Sequence, residues 1–222
     1  MAWPGLVIFD CDGVLVDSEP ISTEVLAEVL AEAGCPVDAA TIYDRFLGRS
    51  LTSTLQVLRD DFAMELTEAH LAQMREKLYA RFRTDLRPIE GVAEAIRALP
   101  CKVCVASSSQ PERIRLSLEL TGLAPLFGPH VFSATMVERG KPFPDLFLHA
   151  AREMGVAPEA CAVVEDSLAG VSAAQAAGMP VFAFTGGGHA GPARLADRIR
   201  PLGPAALLDK MRDLPDSLQA QF

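Results

Sequence analysis

Short apolar runs alternate with amphipathic helical patterns along most of the chain. Runs rich in Val, Ile, Phe and Ala predict strands at about residues 6–10, 101–106, 130–134, 161–165 and 180–184. Glycine and proline signals predict helices between most of these strands, at residues 91–99, 111–121, 144–154 and 168–177. Strands that alternate with helices predict an α/β protein, in which a Rossmann-like parallel sheet with right-handed crossovers forms the middle of three layers.

Residues 17–86 interrupt this alternation, because they show helical patterns and no convincing strand. One apolar helical face ends at Gly34 and contains Ile21, Val25, Leu26, Val29 and Leu30; another contains Leu71, Met74, Leu78 and Phe82. We expect both faces to form the core of a small helical cap domain at residues 17–86. This cap would be inserted into a core domain formed by residues 1–16 and 87–222, and its two linkers would act as hinges over a cleft.

Composition and charge narrow the class of protein. A chain of 222 residues, half of them hydrophobic, is long enough to bury one large core, or a medium core and a small satellite. The net charge of −9 argues against a nucleic-acid partner, which needs a concentrated positive field, and it disfavours anionic membranes. The sequence has no apolar run of about 18 residues and no signal-peptide pattern, so we expect a cytoplasmic protein that does not enter membranes. We also expect a monomer.

The five cysteines form an odd set without the spacing of a disulfide framework, and we expect reduced thiols. Cys101 and Cys104 have the spacing of a metal or redox pair. On a strand, however, positions i and i+3 face opposite sides of the sheet. We therefore expect no metal or redox role for this pair.

The first apolar run ends in two carboxylates, Asp10 and Asp12, followed by Gly13. In an extended chain the two side chains point the same way, roughly 6 to 7 Å apart at about 3.3 Å per residue. Two like charges this close require a cation, and Mg²⁺ suits carboxylate and carbonyl oxygens. Glycine lets the backbone turn tightly beside such an ion.

Polar side chains also follow the later apolar runs. Hydroxyls at residues 107–109 follow the second run, and Glu165 and Asp166 end another, while Lys141 stands alone before a helical pattern. In open parallel sheets, ligands bind beyond the carboxyl ends of the strands, where the loops converge. We therefore expect these groups to share one site with Asp10 and Asp12.

These motifs, in this order, resemble those of the haloacid dehalogenase-like phosphohydrolase superfamily. Residues 10–18 are similar to its first motif, Ser107 to the hydroxyl of the second, Lys141 to the third, and residues 165–166 to the fourth. The resemblance covers nearly the whole chain and is strongest to the small-capped branch, which contains phosphoglycolate phosphatases, β-phosphoglucomutases and sugar-phosphate phosphatases. Residues 10–19 resemble the opening of bacterial 6-phosphogluconate phosphatase-like proteins in particular.

The resemblance implies roles for the acidic residues. Asp10 would be the nucleophile that forms an aspartyl-phosphate, and Asp12 would be the general acid and base. As an acid near neutral pH, Asp12 would need a raised pKa. The expected ligands of Mg²⁺ are Asp10, the backbone carbonyl of Asp12, and Asp166, with Glu165 as a direct or water-mediated ligand.

It also implies which residues bind the substrate. Ser107 and the amide of Ser108 would hold the transferring phosphoryl group, and Lys141 would balance its charge. We expect Ser109 to cap the following helix. Arg49, in Gly48-Arg49-Ser50, resembles the substrate-specificity loop of the family and would contact the rest of the substrate.

Three further residues are given supporting roles. Asp17 would organise the turn into the cap, and Glu19 follows the first motif directly and would meet a hydroxylated substrate. Gly186-Gly-Gly-His189 resembles a phosphate loop but lacks a following Gly-Lys-Ser pattern. We interpret it as a mobile rim loop from which His189 reaches the substrate.

Together these features predict a Mg²⁺-dependent phosphatase for a small phosphorylated metabolite, either a sugar phosphate or a sugar-acid phosphate. A phosphomutase is the first alternative, but the β-phosphoglucomutases carry a histidine where this chain has Ser22. A haloacid dehalogenase is disfavoured, because those enzymes lack the carboxylate that Asp12 supplies. A noncatalytic sugar-phosphate-binding protein is the alternative from another class, and the intact Asp10, Lys141 and Asp166 argue against it.

Overall fold

The structure is a computed structural model that describes residues 3–47 and 49–222. Six strands form one parallel sheet in the order β3-β2-β1-β4-β5-β6. The strands are β1 (Leu6–Phe9), β2 (Lys102–Ser107), β3 (Val131–Ser133), β4 (Cys161–Glu165), β5 (Val181–Phe184) and β6 (Ala206–Leu208). The predicted α/β fold is confirmed, and its five predicted strands are present. The sixth, β6, was missed because its three residues, Ala-Leu-Leu, include none of the β-branched or aromatic residues that favour a strand.

The first four helices after β1 are α1 (Glu19–Glu32), α2 (Ala39–Arg45), α3 (Leu51–Phe62) and α4 (Glu68–Asp85), and α5 (Val92–Ala98) follows them before β2. The remaining helices are α6 (Pro111–Leu120), α7 (Ala124–Phe127), α8 (Asp145–Met154), α9 (Leu168–Ala176), α10 (Leu195–Ile199) and α11 (Leu214–Gln221). Short 3₁₀ turns occur at 134–136, 158–160, 200–202 and 211–213. Within the described ranges, no helix is long and apolar enough to cross a membrane.

Strand β1 lies at the centre of the sheet, and this position determines where the site forms. Phe9, its last residue, pairs in register with Val105 of β2 and Val164 of β4. The amide of the next residue, Asp10, donates a hydrogen bond to the carbonyl of Val164 at 3.0 Å. The polar residues that follow these three strands therefore meet at one edge of the sheet.

The two faces of the sheet belong to separate hydrophobic clusters. In β1, Val7 and Phe9 pack into one cluster, and Leu6 and Ile8 pack into the other. The cysteine pair divides in the same way, because Cys101 packs against the first cluster and Cys104 lies within the second. All five cysteines are free thiols, as predicted.

The prediction that the apolar faces of α1 and α4 form only the core of the cap is wrong in part. Ile21 and Val25 of α1, and Leu78 and Phe82 of α4, belong to the cluster on one face of the sheet. A separate cluster lies within the α1–α4 segment and contains Leu26, Leu30, Ile42, Phe46, Leu58 and Leu66. Because α1 and α4 pack against each other, their shared apolar surface continues from this small cluster into the main core. The boundaries of the cap domain remain a prediction.

Candidate active site

Lys141 connects the ends of three strands. Its ammonium group donates hydrogen bonds to Asp10 Oδ1 at 2.7 Å, to Glu165 Oε1 at 2.6 Å and to the carbonyl of Ala106 at 3.1 Å. The side chain is 2% exposed, so both ion pairs are buried. Their charges outweigh the effect of burial and raise the pKa of Lys141, which is therefore a fixed cation beside Asp10.

Glu165 is fully engaged by its neighbours. Its Oε1 accepts from Lys141, and its Oε2 accepts from the amides of Asp166 and Ser167 at 2.8 and 2.7 Å and from the Ser167 hydroxyl at 3.0 Å. Helix α9 begins against this carboxylate, with the Ser167 hydroxyl accepting from the amide of Gly170 at 3.0 Å. A Cβ atom on Gly170 would lie 1.8 Å from Glu165 Oε1, so the approach of this helix requires glycine.

Asp12 is held by donors of a different kind. Its Oδ1 accepts from the Ser18 hydroxyl and from Arg113 Nη2, and its Oδ2 accepts from the Ser109 hydroxyl, each at 2.6 Å. Burial alone would raise the pKa of Asp12, but the charge of Arg113 and these hydrogen bonds lower it below its usual value. Asp12 therefore lacks the raised pKa that a general acid near neutral pH would need. Ser109 contacts Asp12, whereas Gln110 stands at the N-cap of α6, so the predicted capping role of Ser109 is wrong.

Asp10 and Asp166 show the opposite pKa shift. Burial raises the pKa of Asp10 well above its usual value; the nearby carboxylates of Glu165, Asp166 and Asp12 add to this rise, and Lys141 opposes it. Burial also raises the pKa of Asp166, although His189 and Lys141 oppose the rise. The site therefore concentrates more buried negative charge than Lys141 neutralises.

His189, which was predicted to reach the substrate from a rim loop, is buried against Asp166 instead. It is 0% exposed, and its Nε2 lies 2.9 Å from Asp166 Oδ2. Neither ring nitrogen makes a hydrogen bond of good geometry within the described residues. Burial alone would lower the pKa of His189, but the Asp166 carboxylate outweighs it and raises that pKa. The residue contacts a site carboxylate and does not line the pocket described below.

The glycines before His189 explain its burial. The amide of Gly188 donates to Asp17 Oδ1 at 2.9 Å, and a Cβ atom on Gly186 would lie 2.2 Å from the carbonyl oxygen of Asp209. The segment therefore packs closely against the start of α1 and the residue after β6, contrary to its interpretation as an open rim loop. Asp17 supports this packing, in line with its predicted structural role.

Unlike His189, which was predicted to reach the substrate, the eight residues predicted for catalysis, phosphate and substrate binding or metal binding line one pocket: Asp10, Asp12, Arg49, Ser107, Ser108, Lys141, Glu165 and Asp166. The Ser107 hydroxyl accepts from the amide of Ser109 at 3.1 Å, and Arg49 donates to the Ser53 hydroxyl at 3.2 Å. Gly48, the first residue of the predicted specificity loop, lies outside the described residues.

Glu19, Ser109 and two unpredicted residues, Arg113 and Ser167, complete the pocket lining. Burial and the charge of Asp12 raise the pKa of Glu19 to about 7, although Arg113 and His189 oppose the rise. The sequence did not identify Arg113 as a site residue, because α6 contains two arginines, Arg113 and Arg115, and the helical pattern does not distinguish them. Only the packing of α6 shows which of the two faces the site.

The donor set of the pocket fits Mg²⁺. Within residues 3–47 and 49–222, no group of three His, Cys, Asp or Glu side chains is arranged as a complete metal site. Mg²⁺ does not need one, because it keeps several waters and binds through one or two carboxylates and substrate phosphates. Asp10 and Asp166 supply two carboxylates, and the surplus of buried negative charge around Lys141 favours a cation.

Comparison with known proteins agrees with this geometry. Residues 4–178 match the haloacid dehalogenase-like hydrolase family. The chain is 32% identical over 187 residues to the 6-phosphogluconate phosphatase of Escherichia coli, with 84% of this chain and 85% of that protein covered.

Solved structures cover the chain almost completely. A conserved haloacid dehalogenase-like protein of Agrobacterium tumefaciens is 38% identical, with a TM-score of 0.84 and 98% of each chain covered. A haloacid dehalogenase family hydrolase of Deinococcus radiodurans, solved with phosphate and sodium, is 34% identical, with a TM-score of 0.79 and coverage of 99% and 97%. The chain thus belongs to the haloacid dehalogenase-like hydrolases, as its motifs predicted.

Proposed function

We propose that this protein is a Mg²⁺-dependent phosphatase that hydrolyses a small phosphorylated metabolite through an aspartyl-phosphate. The observation that carries the proposal is the buried Asp10–Lys141 pair, which lines one pocket with Ser107 and Asp166. Lys141 occupies Oδ1 of Asp10, so Oδ2 is the oxygen available for attack on phosphorus.

In the first step, Asp10 Oδ2 forms a bond to phosphorus while the bond from phosphorus to the leaving oxygen breaks. Lys141, the Ser107 hydroxyl and the Ser108 amide stabilise the charge on the phosphoryl oxygens. Asp10, Asp166 and the backbone carbonyl of Asp12 would hold Mg²⁺, which supplies further charge neutralisation when bound. Glu165 would act by fixing Lys141, because both of its oxygens already accept hydrogen bonds.

Asp12 would move the proton in both steps. A phosphate monoester has a second pKa of about 6, so part of the substrate arrives carrying a proton that Asp12 can pass to the leaving oxygen. In the second step, water attacks the phosphorus of the aspartyl-phosphate, and the ionised Asp12 takes its proton. Phosphate leaves, Asp10 is restored and Asp12 returns its proton to the solvent. The lowered pKa of Asp12 suits this second step.

The substrate would be a sugar phosphate or a sugar-acid phosphate. Arg49 and Glu19 line the pocket and would face the part of the substrate that is not transferred. A cation and a carboxyl group suit a molecule that carries a carboxylate and hydroxyls, and the related E. coli enzyme is named for 6-phosphogluconate. Ser22, in place of the histidine of the mutases, favours hydrolysis over phosphoryl transfer between sugar positions.

We also propose that residues 17–86 form a cap over a core of residues 1–16 and 87–222, and that the protein is a cytoplasmic monomer. Helices α1–α4 have their own small apolar cluster, which supports the cap. The five free thiols suit a reducing compartment.

The test is phosphate release by the purified protein from p-nitrophenyl phosphate and from a panel of sugar phosphates, phosphoglycolate, 6-phosphogluconate and nucleotides. Turnover is expected with Mg²⁺, is lost with EDTA and returns with excess Mg²⁺. Phosphate release at an unchanged rate in the presence of EDTA would contradict the requirement for Mg²⁺. Conversion of glucose 1-phosphate to glucose 6-phosphate without free phosphate would favour the mutase, and ligand binding without any turnover would favour the noncatalytic protein.

A further inference from the structure

Arg113 connects the acid-base carboxylate to both long helices of the α1–α4 segment. Its Nη2 donates to Asp12 Oδ1 at 2.6 Å and to the Ser22 hydroxyl of α1 at 3.1 Å. Its guanidinium carbon lies 5.3 Å from the centre of the Phe82 ring of α4. These three contacts fix the guanidinium between α6, where Arg113 lies, and two helices that are distant from it in sequence.

The Ser22 hydroxyl is oriented to receive Arg113. It donates its own hydrogen to the carbonyl of Ser18 at 2.9 Å, so its oxygen lone pairs are left for the guanidinium. Ser18 in turn donates to the same Asp12 oxygen as Arg113. The start of α1 and Arg113 thus hold one oxygen of Asp12 together.

Asp12 Oδ1 therefore accepts two hydrogen bonds, whereas Oδ2 accepts one, from Ser109, among the described residues. A carboxylate has about four lone-pair positions, two on each oxygen. Both positions on Oδ1 are filled, and one remains on Oδ2. The oxygen that can reach a substrate is therefore determined by the donors on the other oxygen.

We propose that Arg113 is a positioning residue that holds Asp12 so that Oδ2 faces the leaving group. The proposal rests on the proposed phosphatase function. In the reaction, the bond from Asp10 to phosphorus forms as the bond to the leaving oxygen breaks, and that oxygen takes the proton that Asp12 Oδ2 has received from the substrate phosphate. Without Arg113, the carboxylate can rotate, and the leaving oxygen departs without a well-placed proton.

The burial of Arg113 fits this role. Its Nε is buried without a hydrogen-bond partner among the described residues, although the side chain keeps 21% of its surface exposed toward the pocket it lines. A buried donor without a partner is unfavourable for folding. Arg113 thus keeps its contact with Asp12 although its own Nε is left without a hydrogen-bond partner among the described residues.

Two substrates whose leaving groups differ in basicity can show whether Arg113 positions Asp12 or has another role. Phenyl phosphate and p-nitrophenyl phosphate are similar in shape, but phenolate is the stronger base and needs the proton more. The ratio kcat/KM reports the steps up to formation of the aspartyl-phosphate, so it excludes the second step, which both substrates share. The variants are Arg113→Met and Arg113→Lys, with Arg115→Met as the matched control on the exposed side of α6.

Arg113→Met is expected to lose about tenfold more kcat/KM on phenyl phosphate than on p-nitrophenyl phosphate. This loss is less than the roughly 10²- to 10⁴-fold contribution of a general acid, because Asp12 remains present and only its orientation is lost. Arg113→Lys should recover part of the difference, and Arg115→Met should match the wild type on both substrates. Circular dichroism checks folding, and Ser22→Ala, which removes one partner of Arg113, should give a smaller loss with the same preference.

Equal losses on the two substrates would overturn the inference in favour of a general structural role. A rise in KM alone would instead make Arg113 a substrate contact, and no loss would exclude any role. Wild-type protein that releases no phosphate from these substrates or from the metabolite panel would refute the proposed function itself, which is a distinct outcome.

Discussion

At the scale of single residues, Asp10 and Asp12 are chemically identical and only two positions apart, but the fold gives them opposite environments. Asp10 faces one lysine and three other carboxylates, and its pKa rises. Asp12 faces an arginine and two hydroxyls, and its pKa falls. The sequence could predict their proximity from strand geometry, but not these shifts, because Arg113 is 101 residues from Asp12 along the chain.

Replacing Asp12 by Asn should preserve the fold and reduce kcat roughly 10²- to 10⁴-fold, because both steps lose their proton carrier. Steady-state kinetics on phenyl phosphate measure this loss, and the exposed Asp216→Asn serves as a control. Turnover within a factor of two of the wild type would contradict the assignment of Asp12.

Replacing Glu19 by Gln should change the pH dependence of stability. The folded pKa of Glu19, at about 7, lies above the usual value of 4.5, chiefly because of burial and the charge of Asp12. Between these pH values the folded state keeps a proton that the unfolded state releases, so Glu19 makes the protein less stable as the pH rises. The stability advantage of Glu19→Gln should therefore grow from pH 4.5 to pH 7 and then level off.

Urea unfolding of both proteins in EDTA at several pH values measures this difference. An advantage that stays constant across the range, or that shrinks as the pH rises, would contradict the environment described for Glu19.

At the scale of elements, strands β1 to β5 could be predicted because each is a short apolar run between helical patterns. The periodicity of the sequence predicted helices α1 and α4, but it did not predict which parts of the protein pack against their apolar faces. Periodicity shows which face of a helix is apolar and says nothing about whether a neighbouring helix or the sheet covers it. The same limit hid the role of α6, whose Arg113 faces Asp12.

The close packing of α9 against Glu165 predicts a sensitive glycine. Gly170→Ala would place its Cβ 1.8 Å from Glu165 Oε1, so Glu165 must move and Lys141 loses a partner. We expect a loss of about 1–3 kcal/mol in the free energy of unfolding, and reduced turnover. Gly191→Ala is the matched control, because a Cβ there has nothing within 4 Å among the described residues.

Denaturant unfolding and phosphatase assays of Gly170→Ala and Gly191→Ala test this prediction. Equal stability of Gly170→Ala and Gly191→Ala would show that α9 does not need this close approach.

At the scale of the whole molecule, the pocket of this acidic protein combines five carboxylates with three cations, so Mg²⁺, when bound, and these cations would together attract an anionic substrate. The net charge is −9, yet Lys141, Arg49 and Arg113 all line that pocket. The order of the motifs along the chain predicted which residues converge there, because parallel strands bring their carboxyl ends together. His189 was interpreted as a rim residue because a run of glycines suggests an open loop, whereas here the glycines permit close packing.

The central claim is that Asp10 becomes phosphorylated, and the most direct measurement is mass spectrometry of the protein after rapid acid quenching during turnover with Mg²⁺. With p-nitrophenyl phosphate, whose weakly basic leaving group needs a proton least, the account predicts one added phosphoryl group on the peptide that contains Asp10. The level should be higher in Asp12→Asn, where the second step is slowed more than the first, and the group should be absent from Asp10→Asn. A phosphoryl group on another residue, or continued turnover by Asp10→Asn, would contradict this account.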